Sequence, residues 1–270
     1  MLWIGGGQGA GKTTLSWELS REHDLPLHRI DSWTYDHFAR MPVGDSLDEQ
    51  LARGPEAAAD AFESHSRLRL ELVLDDIVGR DLGTVPALVE GPQLMPGLAA
   101  HVPSGWAVWL IPDPARTRMA REERLATEER LAGGPVAGRT RVSVISRRDA
   151  ILASRIREGA ARAGRPVIEV PPSPDWPAVK AAIGSALTPA LESAPRLAPG
   201  RELSRQRCYE NKAAERQVAL WAQDAGLAAM PVFPFGCECG RSGCRATCPA
   251  TPGEYAARTA SGRCLIAHGT

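Results

Sequence analysis

Residues 6 to 14 read Gly6-Gly7-Gln8-Gly9-Ala10-Gly11-Lys12-Thr13-Thr14. Closely spaced glycines let successive backbone N–H groups converge on one anion, and a lysine and two hydroxyls follow at once. The spacing fits G-x-x-x-x-G-K-[ST], a loop that cradles phosphates: its amides hold the oxygens, Lys12 reaches the β/γ-phosphates and Thr13 places its hydroxyl on Mg²⁺. A second concentration of reactive groups lies far downstream, where Cys237-Glu-Cys239-Gly-Arg-Ser-Gly-Cys244 packs three thiols into one short run. Thiolates so close together suit Zn²⁺, which takes four tetrahedral nitrogen or sulfur ligands. Cys237, Cys239, Cys244 and His268 are the expected ligands, with Cys264 or Cys248 as substitutes for the last.

A phosphate loop of this kind needs a strand before it and a helix after it. Leu2, Trp3 and Ile4 form an apolar run suited to a buried strand, and Leu15, Trp17 and Leu19 continue on a helical pattern. Residues 25–31 read as a second strand ending in Asp31, 85–91 as a third closed by Glu90 and Gly91, 106–111 as a fourth and 166–170 as a fifth. Helical patterns fill 56–78, an arginine-rich stretch ending near Gly133-Gly134-Pro135, and 175–192. Asp76-Ile-Val-Gly79 matches the D-x-x-G of GTPases, but Arg67, Arg69, Glu71 and Asp75 continue a helical charge pattern and no N-K-x-D motif follows. That segment is therefore read as helix. Short strands alternating with helices predict a three-layer α/β/α fold with a parallel sheet, which gathers ligands at the strand C-termini.

All six cysteines lie beyond residue 207, so the composition changes partway along the 270-residue chain. The run Ala194-Pro-Arg-Leu-Ala-Pro-Gly200 is the predicted linker, dividing a domain over 1–193 from a cysteine-rich module over 201–270. Lys plus Arg and Asp plus Glu both number 32, so no global basic field argues for nucleic acid, and Arg241, Arg245, Arg258 and Arg263 are too dispersed to make a local one. No apolar run is long enough to span a membrane. With the loop's strand beginning at residue 2 there is no room for a leader, and the expectation is a cytoplasmic protein with reduced thiols.

Taken together, the loop, Asp31, the Glu90-Gly91 pair and the arginine-rich stretch resemble the small-molecule P-loop kinases, a group that includes uridine kinase-like and nicotinamide riboside kinase-like proteins and chloramphenicol phosphotransferase. The resemblance covers about the first 190 residues. It implies binding of ATP and Mg²⁺ by Gly6, Gly7, Gln8, Gly9, Ala10, Gly11, Lys12, Thr13 and Thr14, with Glu90 on the metal or on a substrate hydroxyl. It also implies Asp31 as the group that orients or deprotonates the acceptor hydroxyl, with Asp36 as its understudy, and a lid whose arginines, Arg121 and Arg124, close over the phosphates. Arg147 and Arg148 are alternatives. The cysteine segment in turn resembles a short C-E-C-G-x-x-x-C module of actinobacterial proteins.

The physical case for a carboxylate is separate: an alcohol attacking a phosphoryl group must lose its proton, and a positioned base contributes about 10²- to 10⁴-fold. Asp31, Trp33, Tyr35, Asp36 and His37 offer acceptors and aromatic faces to a hydroxylated compound. The expected activity is transfer of the γ-phosphoryl group of ATP to a hydroxyl of a sugar, nucleoside, vitamin or antibiotic. The alternative is an ATP-dependent switch acting on a protein partner through the C-terminal module.

Overall fold

A computed structural model describes residues 1–136 and 138–268. Strand β1 (Leu2–Gly6) is followed by helix α1 (Lys12–Glu22) and strand β2 (Leu27–Arg29). Pro26 precedes β2, and a 3-10 turn over Ile30–Trp33 follows it, so the strand is shorter than the run 25–31 suggested. Three helices come next, α2 (Thr34–Arg40), α3 (Leu47–Ala52) and α4 (Pro55–Val78), and α4 contains the GTPase-like segment whose charge pattern predicted helix. Strand β3 (Leu88–Glu90), strand β4 (Ala107–Pro112), helices α5 (Pro114–Ala132) and α6 (Gly138–Arg162) and strand β5 (Val167–Val170) complete the sheet.

The five strands are all parallel, in the order β2-β3-β1-β4-β5. Alternation along the strands divides the core. Leu2, Ile4 and Leu110 face α1 and helix α7 (Trp176–Ala186), whereas Trp3, Trp109 and Ile111 face α4 and α6. Helices thus cover both sides of the sheet. The helix expected over 175–192 is broken at Leu187, and helix α8 (Thr188–Ser193) starts afresh with Pro189 in its first turn, where the missing N–H costs nothing.

Beyond α8 the chain runs through 194–200 into helix α9 (Arg201–Asp224), a two-stranded antiparallel ribbon of β6 (Phe233–Gly236) and β7 (Thr247–Ala250), and helix α10 (Pro252–Thr259). Phe235, Ala250, Tyr255, Leu265 and Ala214 of α9 form a small separate core. The predicted linker is pinned at its middle and at its far end: Leu197 is buried and donates to Asp24 O at 3.0 Å, and Gly200 donates to Gly240 O at 2.8 Å. Among the described residues, no helix is long and apolar enough to cross a membrane.

Candidate functional site

The chain leaves β1 to pair with β3 on one side and β4 on the other, so the glycine loop sits where the strand order reverses. Such a point opens a crevice at the strand C-termini. Gly6 has φ 118 and a Cβ there would lie 2.0 Å from Leu110 O, which excludes every other residue. Gly11, at φ 78, precedes α1 without any side-chain cap, so the first-turn N–H groups of that helix face the loop unclaimed by a capping side chain. Arg116 Nε and Thr117 Oγ1 of α5 donate to Gly9 O and Gln8 O, both at 3.3 Å, and brace the loop from outside.

Lys12 is buried with its ammonium donating to Gly7 O at 2.8 Å. Burial lowers its pKa, opposed by the charges of Glu90 and Asp31 and, more weakly, Asp149. Thr13, exposed at the head of α1, donates to Glu90 Oε1 at 3.1 Å. Glu90 is 1% exposed, and its Oε2 has no hydrogen-bond partner among the described residues. Burial, reinforced by the charge of Asp31, raises its pKa, while Lys12 and Arg29 pull the other way. The crevice therefore brings together an ammonium, a hydroxyl and a carboxylate oxygen with spare capacity.

Asp31 opens outward from the 3-10 turn that follows β2, steadied by Gln93 Nε2 at 3.4 Å. Asp36 stands apart from it on α2, paired with Arg40 and Arg216, each at 3.3 Å. Trp33 lies parallel to His28 at 5.8 Å between ring centres and meets Tyr209 of α9 at 5.4 Å. Tyr35 donates its hydroxyl to Asp224 at 2.9 Å and its N–H to Gln217 at 3.3 Å, so α9 closes directly over the segment 33–36. Between them is a cavity of about 260 Å³ whose walls include Trp33, Asp36, Tyr209 and Lys212.

The arginines split by partner. Arg124 Nη atoms lie 2.5 and 3.0 Å from the side-chain oxygen of Gln8, turned to accept them. Arg121 donates from Nε to Asp149 Oδ2 at 2.6 Å, and Arg148 pairs with the same carboxylate at 2.9 Å. Arg121, Arg124 and Arg148 thus approach the loop from α5 and α6, and Asp149 gathers two of them. Arg147 instead lines a larger cavity, about 830 Å³, between Gly7, α5 and α6. Asp149 and Gln93 escaped the sequence reading. Asp149 sits in an arginine-rich helix where an acid looks like ordinary surface pairing, and Gln93 belongs to no motif.

In the C-terminal module, Cys237, Cys239, Cys244 and His268 each offer a ligand atom, and these atoms all lie within 4.8 Å of one another. His268 Nδ1 is 3.7 Å from the Cys237 sulfur, which also accepts from Ala267 N at 3.4 Å. This is a donor set that can hold a metal ion such as zinc. The two substitutes are elsewhere: Cys248 faces Arg258 Nη1 at 3.0 Å and Cys264 faces Ser204 Oγ at 3.3 Å. A further trio, His28, His37 and Asp76, shares that closeness, but Arg69 Nε donates to His37 Nδ1 at 3.4 Å while His37 Nε2 meets Asp76 at 2.8 Å. That tautomer leaves His37 Nε2 protonated, with no lone pair for a metal.

No protein-family model matches the chain, and a search of curated proteins gives no match.

Proposed function

We propose that the protein is a P-loop ATP:alcohol phosphotransferase with a structural zinc in its C-terminal module. The observation that carries the reading is the convergence of buried Lys12, Thr13 and Glu90 beneath a glycine loop at the head of α1, with Asp31 on the next strand end. The residues fit the groups required. Glycines 6, 9 and 11 all take positive φ, and among the described residues the α1 amides lack a side-chain cap and Glu90 Oε2 is an unmatched acceptor beside the Thr13 hydroxyl. Gly6 to Thr14 would hold the phosphates, and Thr13 and Glu90 the Mg²⁺.

Bound Mg-ATP supplies the phosphoryl group and neutralises part of its charge. Lys12, facing the loop from a dry position, stabilises the negative charge that builds on the phosphate oxygens, and Arg121 and Arg124 add to it from α5. Asp31 accepts the proton that the attacking hydroxyl must shed, worth roughly 3 to 5 kcal/mol of barrier. Trp33, Tyr35 and Asp36 shape the acceptor side, with α9 as the opposite wall. A small hydroxylated molecule is the acceptor class. The switch reading draws its support from the same contact, since α9 joins the acceptor segment to the module.

Purified protein with Mg-ATP and pools of hydroxylated metabolites and antibiotics separates the two. Magnesium-dependent ADP release that appears with one compound, together with its phosphorylated product, supports the kinase. ATP binding without transfer to any pool, combined with a nucleotide-dependent change in the module, favours the switch.

A further inference from the structure

Two thiols outside the Cys3His set face one another. Cys208, half-buried on α9, and Cys264, exposed just after the 3-10 turn Ala260–Gly262, have sulfurs within 4.8 Å, beside a carboxylate oxygen of Glu238. The position of Cys264 is built rather than incidental. Its neighbour Leu265 is buried, donates to Glu238 Oε2 at 2.7 Å and accepts from Glu238 N at 2.8 Å. Glu238 is itself held by Asn211 and Tyr255, each at 2.8 Å, and Cys264 touches Ser204, one turn before Cys208 on α9, at 3.3 Å. A metal reading of the trio fails on supply. Both Glu238 oxygens already accept hydrogen bonds, and two thiols leave zinc short of four ligands.

We propose that Cys208 and Cys264 are a dithiol that closes to an intramolecular disulfide when the protein meets a hydroperoxide, fastening the C-terminal segment to α9. A disulfide bond is about 2.05 Å long, so the sulfurs must approach by at most roughly 2.8 Å. Cys264 lies in a stretch without regular secondary structure, which can follow. The exposed Cys264 sulfur attacks an oxygen of hydrogen peroxide and breaks the O–O bond, becoming a sulfenic acid, and the leaving hydroxide takes the Cys264 thiol proton and departs as water. The Cys208 sulfur then attacks the Cys264 sulfur, forming S–S and breaking S–O, and the departing hydroxide leaves as water with the Cys208 proton. Two thiols are oxidised and one hydrogen peroxide is reduced to two waters. Cys237, Cys239 and Cys244 take no part, because they stand with His268, and Cys248 sits against Arg258. The bridge would hold residues 265–268, the run that carries His268 to the three thiols.

The test treats the reduced full-length protein with hydrogen peroxide, blocks the remaining thiols and maps peptides by mass spectrometry. The expected product is a Cys208–Cys264 linked peptide, two hydrogens lighter than its reduced parts, monomeric and reversed by dithiothreitol. Amide exchange over residues 265–268 should slow by about tenfold on oxidation in the wild type and stay unchanged in Cys264→Ser. A sulfinic acid on Cys264 with Cys208 still free to alkylate, a bridge between two chains, or a bridge that uses Cys237, Cys239 or Cys244 overturns the proposal. The mapping is done on the wild-type chain, so it stands whether or not a cysteine variant folds.

Discussion

Burying an ammonium is costly unless anions face it, and Lys12 sits among the carboxylates of Glu90, Asp31 and Asp149. That arrangement holds a charged group in a dry place and aims it at the loop. Lys12→Ala removes the charge that a transferring phosphoryl group would meet, and turnover in the ADP-release assay should fall by about 10³-fold or more. Near-normal turnover would remove the nucleotide assignment. Asp31 and Asp36 can be told apart because only Asp31 exerts its charge on Lys12 and Glu90, whereas Asp36 is occupied by Arg40 and Arg216. Asp31→Asn should keep ATP affinity, measured by titration calorimetry, while turnover drops about 10²- to 10⁴-fold. Asp36→Asn should leave the transfer rate within a few-fold of the wild type. The reverse pattern would exchange their roles.

Element by element, the strand-loop-helix unit at the start of the chain was legible because its signal is local: an apolar run, glycines at fixed places, then Lys12 and Thr13. The same glycines make the unit brittle. Gly6→Ala forces a Cβ against Leu110 O at φ 118, and thermal unfolding should report a loss of about 2 to 4 kcal/mol even without nucleotide. An unchanged melting temperature would mean that β1 and β4 separate more easily than their pairing suggests. Helix α4, through the GTPase-like segment, and α5 were legible by period; α6, α9 and the break between α7 and α8 were not, and at that break apolar positions continue across Leu187 and only the backbone at Pro189 resets the helix. In the module, three thiols and His268 gather beside a core of only a few side chains. A bound zinc can contribute on the order of 10 kcal/mol to the folding of so small a unit. Metal analysis should find about one zinc per chain. A chelator should unfold residues 233–268 by hydrogen exchange; a metal-free protein that stays protected there would leave the thiols as core residues.

For the molecule as a whole, the decisive joint is one that sequence patterns conceal. Glu210 of α9 accepts from Leu27 N at 3.0 Å and pairs with Arg21 of α1 and Arg207 of its own helix, both at 2.8 Å. No local pattern in the sequence joins these residues, because Arg21 and Glu210 stand 189 positions apart. Around the joint, Ser242 bonds Asp24, and Arg245 and Lys180 meet on Glu22 at 3.0 and 2.7 Å. The module therefore leans on α1 and β2 rather than trailing from a free tether. Burial alone would push the Glu210 pKa up, but the charges of Arg207 and Arg21 outweigh it and hold it at about 2, below its ordinary 4.5. A depressed carboxylate lends stability that is complete above about 4.5 and is lost as pH falls from there toward 2, a term on the order of 3 kcal/mol. Urea unfolding at about pH 6 and about pH 3 should show about 2 kcal/mol of that loss in the wild type and a smaller one in Glu210→Gln, which is already weakened by two uncompensated guanidinium groups. The scarcity of lysine has a practical side. Of the three side-chain amines, Lys12 is buried and Lys180 is tied to Glu18 and Glu22, while Lys212 is exposed at the edge of the 260 Å³ cavity and in no ion pair among the described residues. Among the lysines, an amine-reactive fluorophore should therefore label that position ahead of the other two, placing an optical reporter at the mouth of the cavity between α2 and α9.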